Sequence, residues 1–415
     1  MQKVSRRSVT TALAATALTG LLPKGAHAQE ALRVLVTRTP SLLFYADKLK
    51  ANGYNVPVNV DSMLLDKIFE VSSISFSSNA PGIDVIHLND PGIQLFASKG
   101  WLEPLDDLWT KYKAEYNLSD FPQVIMDAVT HKGRIYAMPV MMNTQMLFYR
   151  KDIFDEIGQK VPGTMQEYLQ VPKILAEKKQ PNIAAGMKPV DYAINRIHWF
   201  LNTLGDGWFD KDWRPTFNTP NSVQAIQAIK DLVPYAPRGW TSHANDEDTI
   251  NLSQGVSSLG LQWTTRAASM NDKEKSRVVG KIAWAVPPGG GARFALDGFA
   301  IPKSSAANKE QVFRMLAEAM SAANMKANAD RAYPARLSVI ADPELAEKYP
   351  WYPAARASIA ANKRTPDLPE FNEVAEIVVR RIMQALTGEA DVKPSLDQAA
   401  VEVTALLTSK GYYKG

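Results

Sequence analysis

Short apolar segments alternate with segments of helical periodicity along most of this 415-residue chain. A run of about four to eight apolar or β-branched residues predicts a strand, whereas apolar residues repeating every three or four positions predict a helix face. The strand pattern occurs at 32–37, 83–88, 145–149, 258–263 and 281–286. This alternation predicts an α/β fold.

Two helices have clear sequence signals. Thr219 and Pro220 supply an N-cap followed by proline at the first helical position, and apolar residues between 223 and 233 form one stripe that ends at Pro234. A second stripe covers 312–320. Both stripes predict helices that turn one face to a hydrophobic core.

The charge of the chain argues against a nucleic-acid partner. The sequence has 47 basic and 43 acidic residues, and four of the basic ones, Lys3, Arg6, Arg7 and Lys24, precede Ala28 in a stretch without acidic residues. The chain from residue 29 onward is therefore formally neutral. Nucleic-acid binding needs a net basic surface, so we predict that the protein binds none.

Motifs for cofactor or metal chemistry are absent from the sequence. There is no cysteine, no phosphate-binding glycine loop, no dinucleotide-binding glycine motif and no zinc-protease motif. The histidines after residue 28, His87, His131, His198 and His243, have no metal-ligand spacing. We therefore predict no cofactor, no metal and no catalytic residue.

The first 28 residues have the pattern of an export signal. Arg6 and Arg7 precede a modestly apolar run from 9 to 22, and small residues at 26–28 form a cleavage site. The paired arginines resemble the twin-arginine signal, and a general secretory signal is the alternative. A soluble, exported protein in the periplasm is the prediction.

Four sequence blocks resemble the family 1 extracellular solute-binding proteins of ABC importers, specifically the sugar-binding group that includes maltose-binding protein. The blocks are IDVIHLND at 83–90 followed by GWLEPLD at 100–106, GRIYAMP at 133–139 running into LFYRKDIF at 147–154, GLQW at 260–263 with AIPK at 300–303, and RLSVIADPEL at 336–345. Their order and spacing cover most of the chain after residue 28.

The resemblance implies a type II periplasmic binding protein: two α/β lobes, each built from discontinuous pieces and joined by a hinge, with the ligand in the cleft between them. Possible joints in the sequence at 139–143, 287–298 and 333–336 agree with three crossings. We expect an N-terminal lobe of 29–142 plus 298–334 and a C-terminal lobe of 143–297 plus 335–415. The implied partners are a small carbohydrate-type ligand and the membrane permease subunits, and the protein itself is expected to be a monomer.

The resemblance and the strand ends together indicate the candidate ligand-binding residues: Arg38, Ser41, His87, Asn89, Asp90, Asn143, Gln145, Trp199, Gln262, Trp263, Asp297 and Arg336. Polar side chains would satisfy ligand hydroxyls, and the tryptophans would cover apolar ring faces. Arg38 and Ser41 rest on analogy alone.

Several of these candidates have a structural alternative. Asn89 and Asp90 could instead cap the following helix. Trp263 could be an ordinary core residue of its strand, and Arg336 could form a hinge salt bridge. These alternatives stay open at the level of the sequence.

The sequence also departs from the sugar-binding relatives. It has VMMN at 140–143 where they often have Tyr-Asp-Gly-Asp, Gly92 where they often have Trp, DGF at 297–299 where they often have Gly-Trp-Gly, and Ala375 where maltose-binding protein has a stacking Trp. Fewer carboxylates and aromatic rings favour a small sugar, a polyol or a substituted glycoside over a linear oligosaccharide. The alternatives are an exported periplasmic enzyme, or a binding protein for an osmolyte, a peptide or an anionic metabolite.

Overall fold

The computed structural model describes residues 31–51, 53–189 and 192–413. The predicted export signal at 1–28 lies outside the described residues. Within them, strands and helices alternate along the chain, which confirms the α/β prediction. No helix in this described part has both the length and the apolar character needed to cross a membrane.

The elements follow in chain order. The first stretch contains β1 (Leu32–Thr37), α1 (Pro40–Lys50), β2 (Val58–Met63), α2 (Leu65–Ser77), β3 (Val85–Asn89), α3 (Asp90–Ser98), α4 (Asp106–Tyr112), α5 (Gln123–Ala128), β4 (Thr130–His131), β5 (Arg134–Ile135) and β6 (Met138–Arg150). The second contains α6 (Lys151–Glu156), α7 (Met165–Glu177), β7 (Asn182–Ala184), α8 (Ala193–Thr203), α9 (Pro220–Leu232), α10 (Asn245–Ser253), β8 (Ser257–Trp263) and β9 (Ile282–Ala285). The third contains β10 (Phe294–Ala300), α11 (Lys309–Ala319), α12 (Ala322–Ala327), β11 (Tyr333–Pro334), α13 (Leu337–Ile340), α14 (Pro343–Lys348), α15 (Tyr352–Ala361), α16 (Phe371–Leu386) and α17 (Val392–Ser409).

The local signals in the sequence act as predicted. β1 has the predicted bounds, and α9 begins after Thr219, whose hydroxyl accepts a hydrogen bond from the Ser222 amide (3.4 Å). In α11, Val312, Phe313 and Leu316 are buried, as the stripe required. Short-range patterns were sufficient here because capping and amphipathic periodicity are local properties.

One long strand, β6, is shared by two sheets: the first sheet, which contains β10, and the second sheet, which contains β8. Its first half pairs with β10, up to Thr144 opposite Phe294, and its second half pairs with β8 and β9, beginning with Gln145 opposite Trp263. The strand order is β2-β1-β3-β10-β6 on one side and β6-β8-β7 on the other. β6 is therefore the first crossing between the lobes.

The hydrophobic side chains form two cores. The first contains the residues around β1, β3 and β10 and continues through α15, where Trp351 contacts Trp284 of β9 (5.7 Å between rings). The second core surrounds α8, α9, α16 and α17. Tyr333, Ala335 and Val339 lie in the first core, but so do Phe148, Leu252 and Ile282. Membership of this core therefore does not place a lobe boundary, and the one at 334–335 stays a prediction.

Three chain segments meet at 362–364. The Asn362 side-chain amide donates to Thr144 Oγ1 (2.8 Å), and the Phe294 amide donates to the Lys363 carbonyl (3.0 Å). The Lys363 amide in turn donates to the Ala292 carbonyl (2.8 Å). Since these bonds bring three chain segments side by side, we propose crossings at 143–145, 292–294 and 362–364 in place of the predicted boundaries.

Candidate functional site: the inter-lobe cleft

The strand directions bring many carboxyl ends to the crossings. β1, β3 and the first half of β6 run in one direction in the first sheet, so the carboxyl ends of β1 and β3 lie on the edge of that sheet from which β6 passes into the second sheet. In the second sheet, β8 and β9 run antiparallel to β6, so their carboxyl ends lie on the edge that β6 reaches first. Loops after strand carboxyl ends line ligand sites in open α/β sheets. The cleft between the two edges is the candidate site.

On the first-lobe side, Asp297 is positioned by a buried histidine. His87, 1% exposed, lies 3.0 Å from Asp297 Oδ1 through Nε2 and 2.9 Å from Thr37 Oγ1 through Nδ1. An ionised carboxylate only accepts hydrogen bonds, so Nε2 carries the proton and, in the neutral ring, Nδ1 accepts from Thr37. The hydrogen bond with the buried His87 thereby fixes the Asp297 carboxylate beside the end of β3.

The two residues at the end of β3 have different environments. Asn89 caps α3, because its Oδ1 accepts from the Gly92 amide (3.1 Å). Gly92 is needed there, since a Cβ at this position would lie 2.5 Å from Phe69 Cζ. Asp90 is fully buried and accepts from Arg364 Nε (3.3 Å) and weakly from the Leu296 amide (3.4 Å).

Burial raises the pKa of Asp90, and the positive charges of Arg364 and Arg293 oppose that rise. Arg364 also pairs with Asp367. Asp90 and Arg364 together join the first lobe to the third crossing by an ion pair that is largely shielded from solvent.

The floor of the cleft consists of amides at the crossings. Thr264 Oγ1 donates to Asn143 Oδ1 (2.8 Å). Gln145 is fully buried, and its Oε1 accepts from the Arg293 amide (2.9 Å). Asn362 donates to the Gln145 carbonyl (2.8 Å). Both predicted amides therefore lie at the first crossing, and each already has a protein partner.

On the second-lobe side, Trp263 ends β8 and packs beside a guanidinium. It is 9% exposed, and the Arg293 guanidinium lies 5.5 Å from its ring centroid. Arg293 also donates to Asn195 Oδ1 (2.9 Å) at the start of α8. The indole is thus held at the strand end by a cation–π contact.

Gln262, on the opposite face of β8, joins a buried polar chain. Its Nε2 donates to Tyr192 Oη (2.8 Å), which donates to Asp248 Oδ2 (2.9 Å), and the Gly186 amide donates to the same oxygen (2.8 Å). Burial raises the pKa of both Asp248 and Tyr192. This series of hydrogen bonds supports the loops that follow β7 and β8.

Two predicted contacts lie inside the cores. Trp199 is fully buried, donates to the Pro288 carbonyl (3.1 Å) and packs on Tyr168 (4.8 Å). Arg336 is 2% exposed and donates to the carbonyls of Asn117 (2.8 Å), Met320 (2.8 Å) and Tyr116 (3.2 Å). In the structure both residues have a structural role, and neither forms part of the cleft wall.

The two residues chosen by analogy follow β1. Arg38 is exposed and donates to the Ser62 carbonyl (2.7 Å). Ser41 is buried in the first turn of α1, next to the capping Thr39 (3.2 Å between the hydroxyls). Arg38 is at the rim of the cleft edge, and Ser41 is part of the helix start.

The sequence did not predict Arg293, Arg364 and Asn195. These three side chains come together because two separate crossings meet the start of α8. Nothing in their local sequence indicates this contact. No cluster of three or more His, Asp or Glu side chains suited to a metal ion occurs in the part of the chain that the structure describes.

Comparison with known proteins identifies the family. The model of the bacterial extracellular solute-binding protein family matches residues 37–326. The chain is 26% identical to the mannitol-binding protein of Pseudomonas aeruginosa over 355 residues, which are 77% of this chain and 79% of that protein.

Solved structures share the two-lobed fold. A solute-binding protein of Agrobacterium radiobacter K84 in complex with ribitol superposes with a TM-score of 0.83 at 24% identity, covering 91% of this chain and 99% of that one. Maltose-bound MalE3 of T. maritima gives 0.81 at 21% identity, covering 91% and 100%. The chain therefore belongs to the bacterial extracellular solute-binding protein family, as its sequence blocks indicated.

Proposed function

We propose that the protein is the periplasmic substrate-binding component of an ABC importer, and that it captures a small polyol or sugar and delivers it to the membrane permease. The relative from P. aeruginosa is a mannitol-binding protein, and the similar structure from A. radiobacter holds ribitol. The chemistry of the cleft supports the same class of ligand.

The observation that carries the proposal is the placement of Asp297 and Trp263 on opposite lobes: Asp297 lies in β10 opposite Asn89, the last residue of β3, and Trp263 ends β8. A carboxylate with several lone pairs can accept from adjacent hydroxyls, and the buried His87 holds it in one orientation. An indole covers the C–H face of a carbon chain or ring. A polyol offers both surfaces, hydroxyls on its edges and C–H groups between them.

The charge of the cleft favours an uncharged ligand. Around the third crossing, the carboxylates of Asp90 and Asp367 are matched by two cations, because Arg364 pairs with both and the charge of Arg293 acts on Asp90. An anionic metabolite would require an excess of cations, and a peptide ammonium group an excess of carboxylates. The balance supports a neutral hydroxylated solute over both.

Closure follows from the same geometry. The lobes touch through short crossings at 143–145, 292–294 and 362–364, and a few such residues suffice to absorb a hinge rotation. A ligand that contacts both lobes stabilises the closed form by its differential affinity. The closed protein is then the form that docks on the permease.

The test is a binding panel of mannitol, ribitol, tagatose and maltose, measured by thermal shift and calorimetry. A ligand at about 100 times its Kd adds about 2.7 kcal/mol to the free energy of unfolding. We expect a polyol or monosaccharide to bind, Asp297→Asn to weaken it at least tenfold, and the exposed control Asp212→Asn to have no effect. Failure of every polyol and sugar to bind would refute the proposal.

The remaining parts of the proposal concern chemistry and context. We propose that the protein acts as a monomer, without a cofactor, and returns its ligand unchanged, since the sequence lacks the motifs of cofactor or nucleophile chemistry. Mass spectrometry of the ligand after prolonged incubation tests this. A converted product would instead support the exported-enzyme alternative. Fractionation of the native host with the full chain tests the periplasmic location.

A further inference from the structure

A second cavity lies beside the third crossing. This cavity, here called the crossing pocket, has a volume of about 460 Å³, in the range of small-molecule sites. Its walls are the carboxyl-terminal half of α8, the loop at 205–213 and the crossing at 363–366. Arg364 lines the pocket and also bonds to Asp90, so the pocket adjoins the cleft across one side chain.

His198 supplies an unused hydrogen-bond donor on the pocket wall. The side chain is 1% exposed, and its Nδ1 accepts from Trp208 Nε1 (3.1 Å). Burial, together with the charge of Arg293, lowers the pKa of His198 to about 3, so the ring is neutral and its proton is on Nε2.

Nε2 of His198 has no hydrogen-bond partner among the described residues. The Lys363 carbonyl lies beside the ring and opposes the fall in the pKa of His198, but its geometry falls short of a hydrogen bond to Nε2. A buried donor without a partner destabilises the protein, because it has lost its hydrogen bond to water. A ligand oxygen in the pocket would recover that free energy.

Aromatic rings form another wall of the pocket. Trp208, Phe209 and Trp213 line it. Trp213 has a backbone φ of 61°, a left-handed conformation that is strained for a residue with a side chain. Its carbonyl accepts from Tyr413 Oη (2.6 Å), and its ring packs on Tyr412 (6.4 Å), so the carboxyl-terminal segment holds the strained turn in place.

The pocket's charged groups do not favour an ion. Asp206 accepts from Thr219 Oγ1 (2.6 Å) and Asn221 Nδ2 (3.1 Å), which lower its pKa and keep it ionised. Asp210 likewise accepts from the backbone amides of Asp212 (2.8 Å) and Arg214 (2.9 Å), so both carboxylates already have donors within the protein. Aromatic faces, a neutral N–H donor and carboxylates already bonded to the protein together suit an uncharged, hydroxylated ring.

We propose that the crossing pocket binds a glycosyl substituent of the ligand, so that the preferred ligand is a polyol carrying one sugar ring. The polyol part would lie in the cleft near Asp297 and Trp263, and the sugar ring would pass Arg364 and contact His198 and the pocket tryptophans. This inference rests on the proposed function, because it assigns the second half of the same ligand.

The experiment compares mannitol with 1-O-glucosylmannitol by calorimetry. We expect the glucosylated ligand to bind at least tenfold more tightly, about 1.4 kcal/mol. His198→Phe, which removes the donor, and Lys363→Met should each reduce that ratio toward one. Lys211→Met, a side chain on the same loop but outside the pocket, should leave the ratio unchanged.

The outcomes separate the two proposals. If mannitol binds but glucosylmannitol binds no better, the crossing pocket does not hold a sugar ring and this inference is wrong. The same conclusion follows if Lys363→Met and a folded His198→Phe keep the wild-type ratio. If neither ligand binds, the proposed function fails and the inference fails with it. Lys363 is exposed, so its variant remains informative even where His198→Phe does not fold.

Discussion

Replacing Arg336 with methionine separates a structural role from a ligand-binding role. The guanidinium donates to three backbone carbonyls, lies 4.3 Å from the centroid of Phe121 and is 3.7 Å from Asp120 Oδ2. Asp120 is itself nearly buried and keeps two bonds from Ser338 (2.8 and 2.6 Å). Methionine fills much of the volume but supplies none of the donors.

The expected loss is large. Removing one partner of a buried ion pair costs about 3–5 kcal/mol, because the remaining charge and the carbonyls lose their partners in a site with little access to water. We expect Arg336→Met to lower the free energy of unfolding by about this amount, measured by urea denaturation followed through tryptophan fluorescence.

The matched control is Arg331→Met. Arg331 is 43% exposed in its side chain and pairs with the neighbouring Asp330 (3.2 Å). Such a surface pair contributes about 0–1 kcal/mol. We also expect the ligand affinity of folded Arg336→Met to equal that of the wild type. A loss below 1 kcal/mol combined with a tenfold weaker affinity would refute this reasoning and return Arg336 to the cleft.

Three further predictions concern the cleft. Trp263→Ala should weaken ligand binding at least tenfold without unfolding the protein, and unchanged affinity in calorimetry would remove Trp263 from the site. His87→Phe and Asp297→Asn should each weaken binding, and the double variant should be no worse than Asp297→Asn alone; fully additive losses would show that His87 does not act through Asp297. Burial raises the pKa of Asp248 above its ordinary value of 3.8. Just above pH 3.8 the folded protein therefore binds more protons at this group than the unfolded chain does. The contribution of Asp248 to the free energy of unfolding consequently falls as the pH rises. Asp248→Asn should therefore gain stability relative to the wild type between pH 4 and pH 7 in urea denaturation, and a pH-independent difference would contradict this.

Local patterns in the sequence predicted five of the strands and two of the helices, but not the full extent of β6. β1 and α9 were found because their apolar periodicity and capping residues are local. β6 was predicted only at 145–149, since Pro139 and the polar Asn143 interrupt the strand pattern. Its first half is a strand because it pairs with β10, a partner far along the chain that local sequence does not reveal.

The candidate site was likewise predicted only in part. The ends of β3 and β8 were predicted as cleft positions, and His87, Asp90, Asp297 and Trp263 lie there. Arg364 could not be found, because its contact with Asp90 depends on where the third crossing passes. Whether the predicted residues touch a ligand stays a prediction.

The position of β10 between β3 and β6 has a consequence for how the protein is made. The first sheet lacks this middle strand until the ribosome has synthesised the whole of 151–292, so that sheet cannot close while the early chain emerges. Unpaired edges of β3 and β6 would meanwhile be open to wrong partners. A shortened chain in which a two-residue Asn-Gly turn joins 31–144 to 294–361 would bring β10 to its neighbours at once. Such a chain should give a single lobe that folds faster than the same lobe does in the full-length protein.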